Sequence, residues 1–156
     1  CIIEGMPAGV GEPVFDKLDA SLAKAVMSIG AVKGVEIGDG FSVTSSKGSI
    51  NNDSFISENG QVLKQTNHSG GILGGISDGS SIILRAAIKP TQSISQPQKT
   101  VNTAGENIEI AISGRHDPVI VTRAVVVVES MAAITLTVLL MQNMTSRIEY
   151  LKNIYL

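Results

Sequence analysis

Hydrophobic residues recur at two different spacings along this chain, and each spacing predicts one kind of element. Between residues 13 and 29 the spacing is three or four positions, as on one face of a helix. Pro13 suits the first turn of that helix, and Gly30 suits its C-terminal end. The apolar positions of this predicted amphipathic helix are Val14, Leu18, Leu22, Ala25, Val26 and Ile29.

Shorter apolar runs predict strands. Ile108, Ile110 and Ile112 alternate with other residues, which is the pattern of a strand with one buried face. Two earlier runs are separated by Gly38-Asp39-Gly40, a turn signal that favours a hairpin or a bend. The predicted strands are residues 1 to 6, 31 to 37, 41 to 45, 82 to 88 and 107 to 112.

A long apolar run, residues 124 to 141, predicts a second helix that begins just after Arg123. Its length is also close to that of a membrane span. Glu129 argues against a span, because a carboxylate at membrane depth is costly. The sequence therefore favours a helix buried in the protein interior, and we expect no membrane partner.

The order of these elements predicts the fold class. Residues 46 to 66 are rich in Ser, Asn and Gly, so we expect a long flexible loop there. Around that loop the order is strand, helix, several strands and one long helix. Strict alternation of strands and helices is absent, so the sequence predicts an α+β fold.

Composition narrows the possible partners and compartments. With 156 residues, of which 43% are hydrophobic, the chain suits one domain with a sizeable core. A net charge of -2 gives no argument for nucleic acid binding. The single cysteine, Cys1, excludes an intramolecular disulfide and a cysteine-rich metal site, and it fits a reducing compartment. No metal site is expected.

The first six residues look like the middle of a strand and lack the pattern of a signal peptide. We therefore expect the chain to begin inside a longer protein.

Residues 114 to 118 hold the densest group of reactive side chains, with Arg115, His116 and Asp117 between a glycine and a proline. Arg115 can form paired hydrogen bonds with a phosphate or with Asp117. Asp117 can orient or deprotonate a nearby nitrogen. The structural alternative is an internal salt bridge between Arg115 and Asp117, and the sequence leaves both possibilities open.

Glycines at positions 70, 71, 74 and 75 can let a ligand approach the backbone closely, or can simply form a sharp turn. Their spacing matches neither the P-loop nor the dinucleotide-binding fingerprint. His68 stands just before them, either as a structural hydrogen-bonding residue or as a reactive group.

The end of the strand at residues 82 to 88 offers a second polar group. Lys89 is followed there by Pro90, Thr91, Gln92 and Ser93, which together provide one cation with several hydroxyl and amide groups. Such a group suits a phosphate or a carbonyl-rich ring. A polar exit from the strand is the equally open alternative.

Four segments together closely resemble the chorismate synthase family. They are residues 11 to 19, residues 31 to 41, residues 67 to 75, which begin Asn67-His68-Ser69-Gly70-Gly71, and Gly114-Arg115-His116-Asp117-Pro118. The resemblance covers residues 6 to 141, whereas the tail at residues 142 to 156 is not diagnostic. It implies that residues 1 to 156 are the C-terminal portion of such a protein and that the N-terminal half is absent.

The resemblance implies a specific chemistry. Chorismate synthases are carbon-oxygen lyases of the shikimate pathway of aromatic amino acid biosynthesis. They perform an anti 1,4-elimination of phosphate from 5-enolpyruvylshikimate 3-phosphate, and they require reduced FMN. The family fold is an α+β sandwich with helices between antiparallel sheets. Members are usually cytoplasmic homotetramers, and some use NADP-type nicotinamides to reduce the flavin.

The resemblance also assigns site residues. The family's flavin contacts fall on Gly30, Ala31, Gly74, Lys89, Pro90, Thr91, Gln92, Ser93 and Arg115. Asp117 matches an acidic residue that assists proton transfer near the flavin ring. Gly30 replaces a common asparagine of the family.

Neither His68 nor His116 matches the family's two general-acid histidines, which belong to the absent half. We therefore expect the isolated chain to be inactive. The alternative is a non-catalytic FMN- or anion-binding fragment with a structural or assembly role only.

Overall fold

A computed structural model describes residues 1–115 and 117–155, except for the side chain of Ile154. Its helices are α1 (Leu18–Met27), α2 (Val121–Asn143) and α3 (Ile148–Tyr155), with one 3-10 helix at Gly40–Ser45. Its strands are β1 (Ile2–Ile3), β2 (Val32–Ile37), β3 (Phe55–Glu58), β4 (Gln61–Lys64), β5 (Ile72–Leu73), β6 (Ile76–Ser77), β7 (Ile82–Ile88), β8 (Gln98–Val101) and β9 (Asn107–Ile110). All pairs of named strands are antiparallel, and the predicted α+β class is confirmed.

The central sheet has the strand order β1-β7-β2. β7 has the predicted bounds, and it pairs with β2 so that Ala86 lies opposite Val35 and Leu84 lies opposite Ile37. Ile82 and Leu84 are buried on one face of β7. Arg85 points to the other face, because successive side chains of a strand alternate.

The core lies between this sheet and two helices. α1 contributes Leu18, Leu22 and Val26, which are fully buried because their spacing of four places them on one helical face. α1 contacts both β2 and α2. The residues that α2 adds to the core are Val128, Ala132, Leu136 and Leu139.

The long helix is confirmed, but only one of its faces is buried. Val125, Ile134 and Val138 are exposed on α2. By length and composition α2 would be able to cross a membrane, and 22% of its most apolar window is buried in this structure. The expectation of a helix buried in the protein interior is therefore met on one face of α2 only, within the described residues.

The first helix begins later than predicted. Residues 13 to 15 form a turn, closed by backbone hydrogen bonds of 2.9 and 3.0 Å between Glu12 and Asp16. Val14 and Phe15, expected at the start of the helix, are 74% and 91% exposed. The amide of Leu18 donates to the carbonyl of Gly75 at 2.8 Å, so a tertiary contact sets the start of α1.

Residues 41 to 45 form the 3-10 helix Gly40–Ser45 instead of the predicted strand. The hydroxyl groups of Ser42, Thr44 and Ser45 each donate to the carbonyl three residues earlier. Serine and threonine side chains of this kind compete with a strand for backbone acceptors.

Several further elements lie in segments for which the sequence predicts none. β3 and β4 form a hairpin inside the predicted loop at residues 46 to 66. β8 lies in a polar segment for which the sequence predicts turns, and it pairs with β9. α3 occupies most of the tail at residues 142 to 156.

After α1, the residue with positive φ is Ala31 and not the glycine that the sequence predicts as the end of the helix. Gly30, predicted to end the helix, has an ordinary backbone conformation, whereas Ala31 has a φ of 70°. We expect Ala31→Gly to raise the free energy of unfolding by about 1 kcal/mol, because an L side chain is strained in the left-handed region. Denaturant titration measures the change in the free energy of unfolding, provided that the slope of free energy against denaturant concentration is the same for both proteins. Gly30→Ala is the matched control, since a Cβ at Gly30 meets nothing within 4 Å; a loss of stability in Ala31→Gly would contradict the assignment.

Candidate functional site

Ala31, the residue after Gly30, contacts Lys89 at one end of the sheet. The amide of Lys89 donates to the carbonyl of Ala31 at 2.9 Å. This contact continues the pairing of β2 with β7, in which Val32 lies opposite Ile88. Two separate parts of the predicted site, residues 30 to 31 and residues 89 to 93, are therefore brought together.

The segment that follows β7 contains an unpaired polar group. The Nζ of Lys89 donates to the Oε1 of Gln92 at 3.0 Å, and the Nε2 of Gln98 donates to the carbonyl of Gln92 at 3.0 Å. The Oγ1 of Thr91 is buried and has no hydrogen-bond partner among residues 1–115 and 117–155. A buried hydroxyl without a partner is costly, so this atom is suited to meet a polar group of a ligand.

The start of α2 lies at the same end of the fold. Val121 and Ile88 line one pocket of about 260 Å³, so Lys89, the next residue after Ile88, lies close to the start of α2. Pro90 and Ser93 are exposed on this side.

The open question about Arg115 and Asp117 is answered by a different ion pair. The Nη2 of Arg123 donates to the Oδ1 of Asp117 at 2.9 Å. Arg115 has no ion-pair partner among residues 1–115 and 117–155. The alternative of an internal Arg115–Asp117 salt bridge is therefore wrong, and His116 lies outside the described residues.

Gly74 lies apart from this group. It forms the two-residue turn between β5 and β6 with Gly75, and both have positive φ, 62° and 86°. The carbonyl of Gly75 accepts from the amide of Leu18 at the start of α1, whereas Gly30 follows the end of that helix. The 10 residues of α1, about 15 Å of helix, thus separate Gly74 from the rest of the predicted site.

Sequence reasoning missed a buried ionic cluster centred on Lys64. The side chain of Lys64 is 5% exposed, and its Nζ lies 2.7 Å from Asp78 Oδ2 and 3.3 Å from Asp53 Oδ2. The same Nζ donates to the Oγ of Ser69 at 2.8 Å. The cluster joins the β3–β4 hairpin to the glycine-rich segment, which no local pattern indicates.

Hydrogen bonding keeps both carboxylates of the cluster ionised. Burial alone would raise the pKa of Asp53, but hydrogen bonds from Ser69, Thr66 and the amide of His68 hold that pKa well below its ordinary value. Burial likewise raises the pKa of Asp78, and the hydrogen bond from Lys64 leads the effects that lower it overall.

His68 has a structural partner. Its Nδ1 lies 2.6 Å from the Oδ2 of Asp39, and the amide of Asp39 donates to the carbonyl of His68 at 2.9 Å. These two contacts fasten the 3-10 helix to the glycine-rich segment. They favour the structural alternative for His68.

Within residues 1–115 and 117–155, no three His, Cys, Asp or Glu side chains are placed together so that they could hold a metal ion.

Comparisons with known proteins give a consistent result. The family model described as chorismate synthase matches residues 1–141. Chorismate synthase of Lachnoclostridium phytofermentans is 67% identical over 156 residues, covering 99% of this chain and 42% of the relative. Chorismate synthase of Methanococcoides burtonii is 60% identical over 133 residues, which is 85% of this chain and 36% of the relative.

A solved structure agrees. A crystal structure of chorismate synthase superposes with a TM-score of 0.72 at 31% identity, covering 91% of this chain and 36% of that one. The chain therefore spans about two fifths of the length of the curated relatives that it matches.

Proposed function

Because this chain belongs to the chorismate synthase family, we propose that it supplies the C-terminal part of an enzyme that converts 5-enolpyruvylshikimate 3-phosphate to chorismate. The observation that carries this proposal is the family match over residues 1–141. The reaction is an anti 1,4-elimination of phosphate, so the complete protein is a carbon-oxygen lyase of the shikimate pathway.

Reduced FMN is the proposed cofactor, and the group around Lys89 fits it. Thr91 holds a buried hydroxyl without a partner, and Lys89 Nζ is engaged by the neutral side chain of Gln92. A phosphate dianion can replace a neutral amide as the partner of an ammonium group, with a stronger hydrogen bond. When bound, the flavin supplies electron density transiently as the phosphate leaves the substrate.

This chain's own residues would bind, orient and move a proton. Gly30, Ala31 and residues 89 to 93 form one wall of the site. Arg115, with no described ion-pair partner, offers its guanidinium to an anion. Asp117 is the group proposed to assist proton transfer, and its Oδ2 is not used by the hydrogen bond from Arg123. We also propose flavin contact for Gly74, where a Cβ would meet nothing within 4 Å, so its backbone is open to a ligand.

The remaining parts of the proposal depend on the rest of a complete protein. We propose a cytoplasmic homotetramer that binds neither nucleic acid nor membranes. The family's fold places its long helix between layers, and the exposed face of α2 is the surface that such a layer would cover. Because residues 1–156 span about two fifths of the length of the curated relatives, we propose that they form an active enzyme only together with the remaining part of the fold.

A chimera tests the function. In it, this chain replaces the matching segment of the Lachnoclostridium phytofermentans enzyme. Chorismate formation with reduced FMN under anaerobic conditions is the expected result, and an inactive but folded chimera would contradict the proposal. Titrating the isolated chain with FMN, followed by flavin fluorescence, tests the alternative of a binding fragment without activity.

Lys89→Met in this chimera should weaken FMN binding by about 10- to 100-fold, because a hydrogen bond to a charged group contributes about 1.5–3 kcal/mol. Isothermal titration with FMN measures the change. Lys99→Met is the matched control, since Lys99 is exposed on β8. If both variants bind FMN with the same affinity, Lys89 does not contact FMN.

A further inference from the structure

Arg123 and Asp117 form the contact from which we argue. Asp117 lies in the irregular segment between β9 and α2, and Arg123 lies in the first turn of α2. The Nη2 of Arg123 donates to the Oδ1 of Asp117 at 2.9 Å. A hydrogen bond between a guanidinium and a carboxylate is charge-assisted and directional, so it restricts where the carboxylate can point.

The two ends of this contact differ in how firmly they are held. The amides of Arg123 and Ala124 both donate to the carbonyl of Ile120 at 3.0 Å, which begins the helix. Val128 and Ala132 then anchor α2 in the core. Asp117 has no regular element of its own, so the ion pair fastens an irregular segment to a packed helix.

We propose that Arg123 is a positioning residue, which holds the Asp117 carboxylate in the orientation that proton transfer requires, while Arg115 remains available to an anionic ligand. This inference rests on the proposed function. It assigns different tasks to Arg115 and Arg123. Arg115 acts on the ligand, and Arg123 acts through Asp117.

The exposure of the pair makes the inference testable. The side chains of Arg123 and Asp117 are 73% and 37% exposed, and exposed ion pairs add little to stability. Catalysis is far more sensitive to orientation, since a displacement of about 1 Å can lower a rate about 100-fold. A positioning role therefore predicts a loss of rate without a loss of stability.

The test uses the chimera described above with Arg123→Met, Arg123→Lys, Asp117→Asn and the double variant Asp117→Asn/Arg123→Met. We expect Arg123→Met to lower kcat about 10- to 100-fold with little change in KM or in FMN affinity. Arg123→Lys, which keeps a cation, should recover part of the loss. The double variant should be no slower than Asp117→Asn alone, because Arg123 would act only through that carboxylate.

The controls separate this inference from the function itself. Arg147→Met removes an exposed arginine that lies 5.8 Å from the ring of Tyr150, and it should leave kcat unchanged. A chimera that is folded but inactive before any substitution would refute the proposed function. An active chimera in which Arg123→Met keeps its full kcat, or in which the two substitutions multiply in their effects, would refute the role of Arg123 alone. A change confined to KM would make Arg123 a ligand-binding residue instead.

Discussion

Replacing Lys64 with methionine should lower the free energy of unfolding of this chain by about 3 to 5 kcal/mol, because removing one partner of a buried ionic group leaves uncompensated charge. Lys64 is 5% exposed, and its Nζ lies between the carboxylates of Asp53 and Asp78. Without it, two ionised carboxylates would share a site from which most water is excluded. Denaturant titration gives the size of the loss.

Two comparisons make the experiment with Lys64 decisive. Lys47→Met, an exposed lysine in the same half of the chain, should change stability by less than about 0.5 kcal/mol. Adding Asp53→Asn and Asp78→Asn to Lys64→Met should restore part of the stability, because the unpaired charges are then gone. If Lys64→Met is no worse than Lys47→Met, the cluster is not a stabilising ionic group.

Periodic patterns predicted the parts of the fold that local chemistry controls. β7 has the expected bounds because residues 82 to 88 combine branched side chains with an abrupt end at Pro90. α2 is found because an apolar run of that length is seldom anything but a helix. Both signals lie within one element, so neither depends on distant residues.

One of the errors has a tertiary cause, and the other has a local one. Pro13 favours a helix that starts at once, but the carbonyl of Gly75 accepts the Leu18 amide and fixes the first turn there. The predicted strand at residues 41 to 45 is replaced by a 3-10 helix. There, serine and threonine hydroxyl groups donate to the carbonyls three residues earlier, and the spacing of apolar residues does not show this local competition with strand pairing.

The sequence alone predicted only part of the site, because the other contacts join residues that are not neighbours along the chain. The reactive character of residues 114 to 118 and the polar group after Lys89 were visible as local density of functional groups. The partner of Asp117 could not be predicted in this way. Arg115 is nearer to Asp117 along the chain, but the first turn of α2 brings Arg123 within 2.9 Å of its carboxylate. Lys64 lies in a segment for which the sequence predicts a loop, so nothing in the sequence indicated its ion pairs with Asp53 and Asp78.

Acid should destabilise this chain through the same buried cluster. The pKa of Asp53 and the pKa of Asp78 are both lowered in the folded state. A carboxyl group with a lowered pKa binds protons more readily when the chain is unfolded, so its contribution is complete above the unfolded value, about 4, and is lost as the pH falls further. The free energy of unfolding should therefore begin to decline near pH 5 and continue to fall towards pH 2.

Asp53→Asn isolates one of these two contributions. At pH 7 we expect the variant to be about 1 to 2 kcal/mol less stable than the unmodified chain, a figure reduced for partial screening by water. The difference should shrink as the pH falls, because protonation of Asp53 removes the same charge that the substitution removes. Urea titrations between pH 2.5 and 7 measure this difference in the free energy of unfolding.

Glu58→Gln, at an exposed position of β3, is the control, and its stability difference from the unmodified chain should not shrink in this way. A stability difference for Asp53→Asn that stays constant down to pH 2.5 would show that the ionisation of Asp53 does not stabilise the fold, and that its hydrogen bonds to the amides of His68 and Ser69 act independently of charge.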